Sequence, residues 1–137
     1  MANRKLSREG TLVLDCEGLA KLIEDHENTV SMVAGARSRG MEVVINALTI
    51  VEATHGRSNH ARLAWLLSGM RISPVGDKEA KAASALLLDT GLHGHKYAID
   101  AIVAEMAMRQ QRPVVLVTSD IDDMTKLCGD RVRLVGL

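Results

Sequence analysis

The sequence predicts an α/β fold with a mostly parallel sheet. Three observations lead there. Short, β-prone apolar runs recur at residues 11–14 (Thr-Leu-Val-Leu), 42–45 (Glu-Val-Val-Ile) and 114–117 (Val-Val-Leu-Val), each too brief for a helix. Between them lie stretches with apolar residues at helical spacing, long enough to serve as crossover connections. The runs stop at Asp15, Asn46 and Thr118-Ser119-Asp120, residue types that end strands and cap helices. At 137 residues the chain fits one domain that can bury a core without disulfides or a structural metal.

Residues 1–10 read as an N-terminal tail and 11–137 as the domain. After the first strand, residues 17–39 carry Leu19, Leu22, Ile23, Val30, Val33 and Ala34 at helical spacing, with a break between two helices expected at Asn28-Thr29 and a stop at Gly40. Asn46 caps a helix expected over 47–55, and Ser58 or Asn59 caps another reaching Leu67. A third strand is expected over 71–75, where Pro74 favours a sheet edge. Asp77 opens an Ala-rich helix to Thr90, ended by Gly91; a loop over 92–95 leads to a helix over 97–110. Residues 120–127 form a last helix and 132–135 a fifth strand. In sheets of this kind with helices on both faces, ligands bind beyond the carboxyl ends of the strands where the winding reverses.

Lys plus Arg and Asp plus Glu number 17 each, so no global basic field attracts nucleic acid, and polyanion binding must come from a local patch or a bound metal. With no Phe, one Trp (Trp65) and one Tyr (Tyr97), the chain lacks a base-stacking platform. Cys16 and Cys128 are far apart and form no Cys-x-x-Cys pair, which suits a reducing compartment. No apolar run reaches the length of a membrane span, and the N-terminus has no apolar segment followed by a cleavage site; a cytoplasmic protein is expected.

The chemistry-bearing residues are acids. Asp15 follows the first strand and Asp120 the fourth; if those strands are neighbours, the two carboxylates converge, although either aspartate alone could simply cap its helix. Glu52 lies one turn from Leu48 and beside Val51, close to the face expected to pack inward. Asp100 borders the apolar face marked by Ile99, Ile102, Val103 and Met106. Desolvated carboxylates crowded together repel one another, and a divalent cation is the natural counter-charge. Oxygen ligands without a Cys or His set indicate Mg²⁺ or Mn²⁺ over Zn²⁺.

Leu14-Asp-Cys-Glu-Gly-Leu19, Glu52 in Ile-Val-Glu-Ala-Thr-His-Gly, Asp100 in Tyr-Ala-Ile-Asp-Ala-Ile-Val-Ala and Thr118-Ser-Asp-Ile-Asp-Asp-Met124 resemble the ordered acidic motifs of PIN domains, in particular VapC-type toxin ribonucleases. The resemblance spans residues 12–137, and the Thr-Ser-Asp-x-Asp-Asp run is its most specific part. It implies a three-layer fold with a five-stranded parallel sheet in order 3-2-1-4-5 and Mg²⁺- or Mn²⁺-dependent RNA cleavage. Asp15, Glu52, Asp100 and Asp120 would occupy the family's four acidic positions. Asp122 or Asp123 would add an outer ligand, with Asp122 preferred, and Thr118 and Ser119 would support the site. The resemblance further implies a protein antitoxin as partner and a homodimer. Cys16 departs from the pattern, standing where many relatives carry a small hydroxyl residue.

Two other readings compete. A PIN-like module without catalysis would bind or assemble only. A receiver-like signalling domain would need an aspartate after the third strand and a lysine after the fifth, where this chain has Pro74-Val75 and Gly136-Leu137. His93 with His95, and His55 with His60, lack a third ligand at useful spacing; Glu105, five residues beyond Asp100, is expected to face solvent, as are the scattered Arg57, Arg62, Arg71, Arg109 and Arg112.

Overall fold

A computed structural model describes residues 9–137. In chain order the elements are β1 (Thr11–Leu14), α1 (Cys16–Ile23), α2 (Glu27–Ser38), β2 (Glu42–Asn46), α3 (Ala47–Ala53), α4 (His60–Ser68), β3 (Arg71–Ser73), α5 (Asp77–Thr90), α6 (Gly94–Met108), β4 (Val114–Thr118), α7 (Ile121–Cys128) and β5 (Arg133–Gly136). The five strands are all parallel, in the order β3-β2-β1-β4-β5. This is the implied three-layer α/β architecture.

Strand alternation divides the core in two. Val13, Val44 and Leu116 face a cluster supplied by α5, α6 and α7, including Ala83, Val103, Met106, Met124 and Leu127. Leu12, Leu14, Val43, Ile45 and Val117 face the opposite cluster, which includes Leu19, Leu22, Val33, Leu63 and Leu66 from α1, α2 and α4. The strands read as continuous apolar runs because both of their faces are covered.

Several boundaries differ from the sequence reading. The break between the first two helices falls at 24–26, because Asp25 adopts φ 60°, while Asn28 and Thr29 lie in the first turn of α2 and Thr29 is buried. α3 ends at Ala53, two residues early. Asn59, not Ser58, caps α4, its Oδ1 accepting from Arg62 N at 3.0 Å. β3 ends at Ser73, just before Pro74, which lacks a ladder N–H, and it is an edge strand as expected. α6 starts at Gly94, three residues early, since the left-handed Gly91 ends α5 within a tight connection. Of the expected tail, residues 1–8 lie outside the described residues. Glu9 and Gly10 already bond to the sheet region, through Glu9 N to Gly40 O (3.3 Å) and Glu42 N to Gly10 O (3.1 Å).

Gly10 combines φ +113° with a backbone pressed against Pro113, so a Cβ would collide with the Pro113 carbonyl oxygen at the start of the β1–β4 pairing. Gly10→Ala is expected to lower unfolding free energy by about 2–3 kcal/mol. Gly35→Ala, inside α2 with open space around it, should instead add roughly 0.5–1 kcal/mol. Urea unfolding of the two variants beside the wild type checks both signs.

Candidate active site

The winding reverses between β1 and β4, which are paired in the register Leu14↔Val117, and their carboxyl ends open onto a shared edge. Asp15 leaves β1 at this edge with its N–H donated to Val117 O (3.1 Å). Its side chain is 5% exposed. Oδ1 accepts from Gly18 N (3.0 Å) and so caps α1, while Oδ2 accepts from Ser119 N (3.2 Å) on the turn after β4. The capping reading of Asp15 is therefore correct but incomplete, since the same carboxylate bridges two turns that are distant in sequence.

Asp120 is different. It stands at the N-cap position of α7 but makes no side-chain capping bond. Its backbone N–H is held by the fully buried Thr118 Oγ1 at 2.9 Å, so the carboxylate stays exposed at the sheet edge. Thr118 thus acts through the Asp120 backbone, and Ser119 reaches Asp15 through its own N–H.

Glu52 arrives on α3, whose first turn is fixed by Asn46 Oδ1 accepting from Leu48 N (2.9 Å). The expectation that Val51 marks the inward face is corrected: Val51 is 71% exposed, and Thr49 and Ala53 are the buried positions. The short helix buries its small residues, which leaves Glu52 exposed at the margin and not on the inward face expected for it. Asp100 is half-buried on α6, between the partly buried Ile99 and the core residues Ala101 and Val103.

The four acids act on one another. Asp100 is pushed up to about 6, first by burial and then by the negative charges of Asp120, Asp123, Glu52 and Asp15. Glu52 is also raised, by partial burial first, against a lowering hydrogen bond from the Cys16 side chain, with Asp15 and Asp120 adding to the rise. Burial together with Glu52, Asp15 and Glu17 pushes the Cys16 thiol up to about 12, so at neutral pH it remains a protonated donor toward Glu52. Among the described residues no lysine or arginine comes within ion-pair distance of Asp15, Glu52, Asp100 or Asp120.

Of the two further acids, Asp123 is the one whose charge acts on Asp100; it is half-buried and 3.8 Å from Lys126 Nζ. Asp122, preferred from sequence, is exposed. Helical spacing carries the signal that was missed: Asp123 lies beside Met124 and one turn before Leu127, both buried against the core. The thiol contact from Cys16 was likewise not foreseen. Glu105 is not solvated but half-buried and paired with Arg109 at 2.7 Å. His93, His95 and His60 are exposed.

Among the described residues no three His, Cys, Asp or Glu side chains are gathered around one point as metal ligands would be. The donor set nonetheless suits a hard divalent cation: carboxylates at one edge, mutually repelling, with no cation of the chain's own among the central four.

No family model matches the chain, and no curated protein does either. Among solved structures, the fold matches a chain in the crystal structure of VapBC2 from Rickettsia felis bound to a DNA fragment from their promoter. The TM-score is 0.67 at 17% identity, over 93% of this chain and 98% of that one. At that identity the likeness is one of fold, and the chain has the PIN-like α/β architecture with its sheet order 3-2-1-4-5.

Proposed function

We propose that the chain is a divalent-metal-dependent endoribonuclease, the toxin of a cytoplasmic toxin–antitoxin pair. The observation that supports this reading is that Asp15 and Asp120 follow the neighbouring strands β1 and β4, tied through Ser119 N to Asp15 Oδ2, with Glu52 and Asp100 both raised by burial first and by these acids after it. Asp15, Asp100 and Asp120 would hold Mg²⁺ or Mn²⁺, with Glu52 and Asp123 completing the acidic wall and Asp122 further out. Bound there, such an ion supplies Lewis-acid activation of water and neutralises phosphate charge. The chain's own residues set the frame. Gly18 and Ser119 N–H groups orient the Asp15 oxygens, Thr118 holds the Asp120 backbone, and the Cys16 thiol steadies Glu52.

Fold likeness to the VapBC2 structure supports an antitoxin partner and promoter-bound regulation. A homodimer is part of the same proposal. Among the described residues no helix is long and apolar enough to cross a membrane.

Cleavage of RNA with Mg²⁺ or Mn²⁺, abolished by EDTA, is the direct test. Asp120→Asn removes a carboxylate that makes no capping bond, so it should reduce cleavage by about a hundredfold or more with little change in metal-free stability. Asp15→Asn should be equally inactive but also less stable, because its amide would set an NH₂ against one of two backbone N–H donors. Glu105→Gln should still cleave. Wild-type rates in purified Asp120→Asn would contradict the proposal.

The Asp100 carboxyl yields a pH signature. Its folded value of about 6 lies above the ordinary value of 3.8, so between those points the folded chain binds more protons than the unfolded chain. Stability contributed by this group is therefore greatest in acid and is lost as pH rises through about 6. Asp100→Asn should melt higher than the wild type above pH 6 without metal, and the difference should shrink toward pH 4. Saturating Mn²⁺ should reverse the ranking, adding about 2.7 kcal/mol to the wild type at a hundredfold excess over Kd. Thermal melts across pH, with and without Mn²⁺, measure both effects.

A further inference from the structure

Beside the acidic edge lies a second feature, which the carboxylate chemistry does not use. A cavity of about 220 Å³ opens between Ala20 and Ile23 of α1 and Ala53, His55, Arg57 and Asn59 of α3 and the loop after it. Cys16 and Ala20 are one turn apart on α1, and Ala53 follows Glu52, so the cavity sits about one helical turn, roughly 5 Å, beyond the Cys16–Glu52 contact.

The loop is held by its own side chains. His55 N–H donates to Ser58 Oγ (3.0 Å), Ser58 N–H donates back to His55 O (3.0 Å), and Arg57 N–H donates to His55 Nδ1 (3.0 Å). Because Nδ1 accepts, the neutral ring carries its proton on Nε2, a donor left to point elsewhere. Asn59 spends its Oδ1 on Arg62 N, which leaves its NH₂ as a further donor. Glu24, the acid on the cavity wall, is 3.2 Å from His26 Nε2.

Arg57 is the arginine that lines this cavity. Arg62 is paired with Asp25, Arg71 with Glu42 and Arg109 with Glu105, while Arg112 precedes β4 at the opposite edge of the sheet. Among the described residues the exposed Arg57 guanidinium has no carboxylate within ion-pair distance. In a chain with no net charge, polyanion binding must come from local groups, and Arg57 lines this cavity together with the His55 and Asn59 donors.

We infer that the α3–α4 loop is the phosphate-binding arm of the site: Arg57, with the His55 Nε2–H and the Asn59 amide, holds a backbone phosphate of single-stranded RNA next to the bond that is cut. The inference rests on the ribonuclease reading for its ligand, yet binding can be measured without cleavage. The probe is a fluorescent single-stranded RNA 12-mer in EDTA, with anisotropy titrations from about 50 to 200 mM salt. Loss of one phosphate contact predicts that Arg57→Ala binds about tenfold more weakly at the lowest salt. It also predicts a slope of log K against log salt shallower by about 0.7. Arg57→Lys should keep the slope while losing part of the affinity, since the charge remains without the fork. Arg112→Ala should match the wild type. Identical affinity and slope in Arg57→Ala and wild type would overturn the inference, as would no binding by the wild type. If binding depends on Arg57 but no metal supports cleavage, the ribonuclease reading fails and the phosphate arm stands; if cleavage occurs without Arg57-dependent binding, the reverse holds.

Discussion

The carboxylate of Asp15 is the tie on which the functional edge depends. Parallel pairing of β1 with β4 aligns Leu14 with Val117, and the side chain that follows then closes two turns at once, through Gly18 N and Ser119 N. A buried carboxylate is costly unless its oxygens are satisfied, and here each oxygen has a backbone donor. The same two bonds set the direction of α1 and the start of the turn that delivers Asp120. Cys16 on α1 in turn meets Glu52 on α3. One side chain thus organises the approach of three elements to a common edge.

That organisation carries an electrostatic cost that the fold does not offset with its own cations. Lysines and arginines are as numerous as acids, yet Arg62, Arg71 and Arg109 pair elsewhere, and Lys126 reaches only Asp123. The effect is largest on Asp100, which is raised first by its burial and then by the four other acids at the edge. An arrangement that disfavours charge in the free protein is one that gains most from a divalent ion. That is the physical reason for the proposed cation site.

The sheet and the position of the edge were legible in the sequence because they follow from short apolar runs and the caps that end them; the helix expected from Asp77 to Thr90 and ended by Gly91 is α5. Convergence of Asp15 and Asp120 was legible for the same reason, once β1 and β4 were neighbours. What stayed hidden depends on side-chain direction and on backbone states that composition does not encode. Asp25 takes a left-handed conformation without being glycine, and so moved a helix break. Val51 looked like a core residue by type, but in a helix as short as α3 the packing against α1 favours Thr49 and Ala53. Asp122 and Asp123 are neighbours in sequence, and only the rotation of α7 decides which of them turns toward Asp100.

The central proposal is that these carboxylates form a cation site, with Asp100 raised first by burial and then by its acidic neighbours, and titration calorimetry of Mn²⁺ into the protein tests it most directly. Binding must displace the proton that Asp100 holds near its raised pKa of about 6, so heats measured in buffers of different ionisation enthalpy should reveal proton release near pH 6 and almost none at pH 8. Affinity should rise between the two. Weak binding without proton release, or binding that persists unchanged in an Asp100→Asn, Asp120→Asn double variant, would contradict the account.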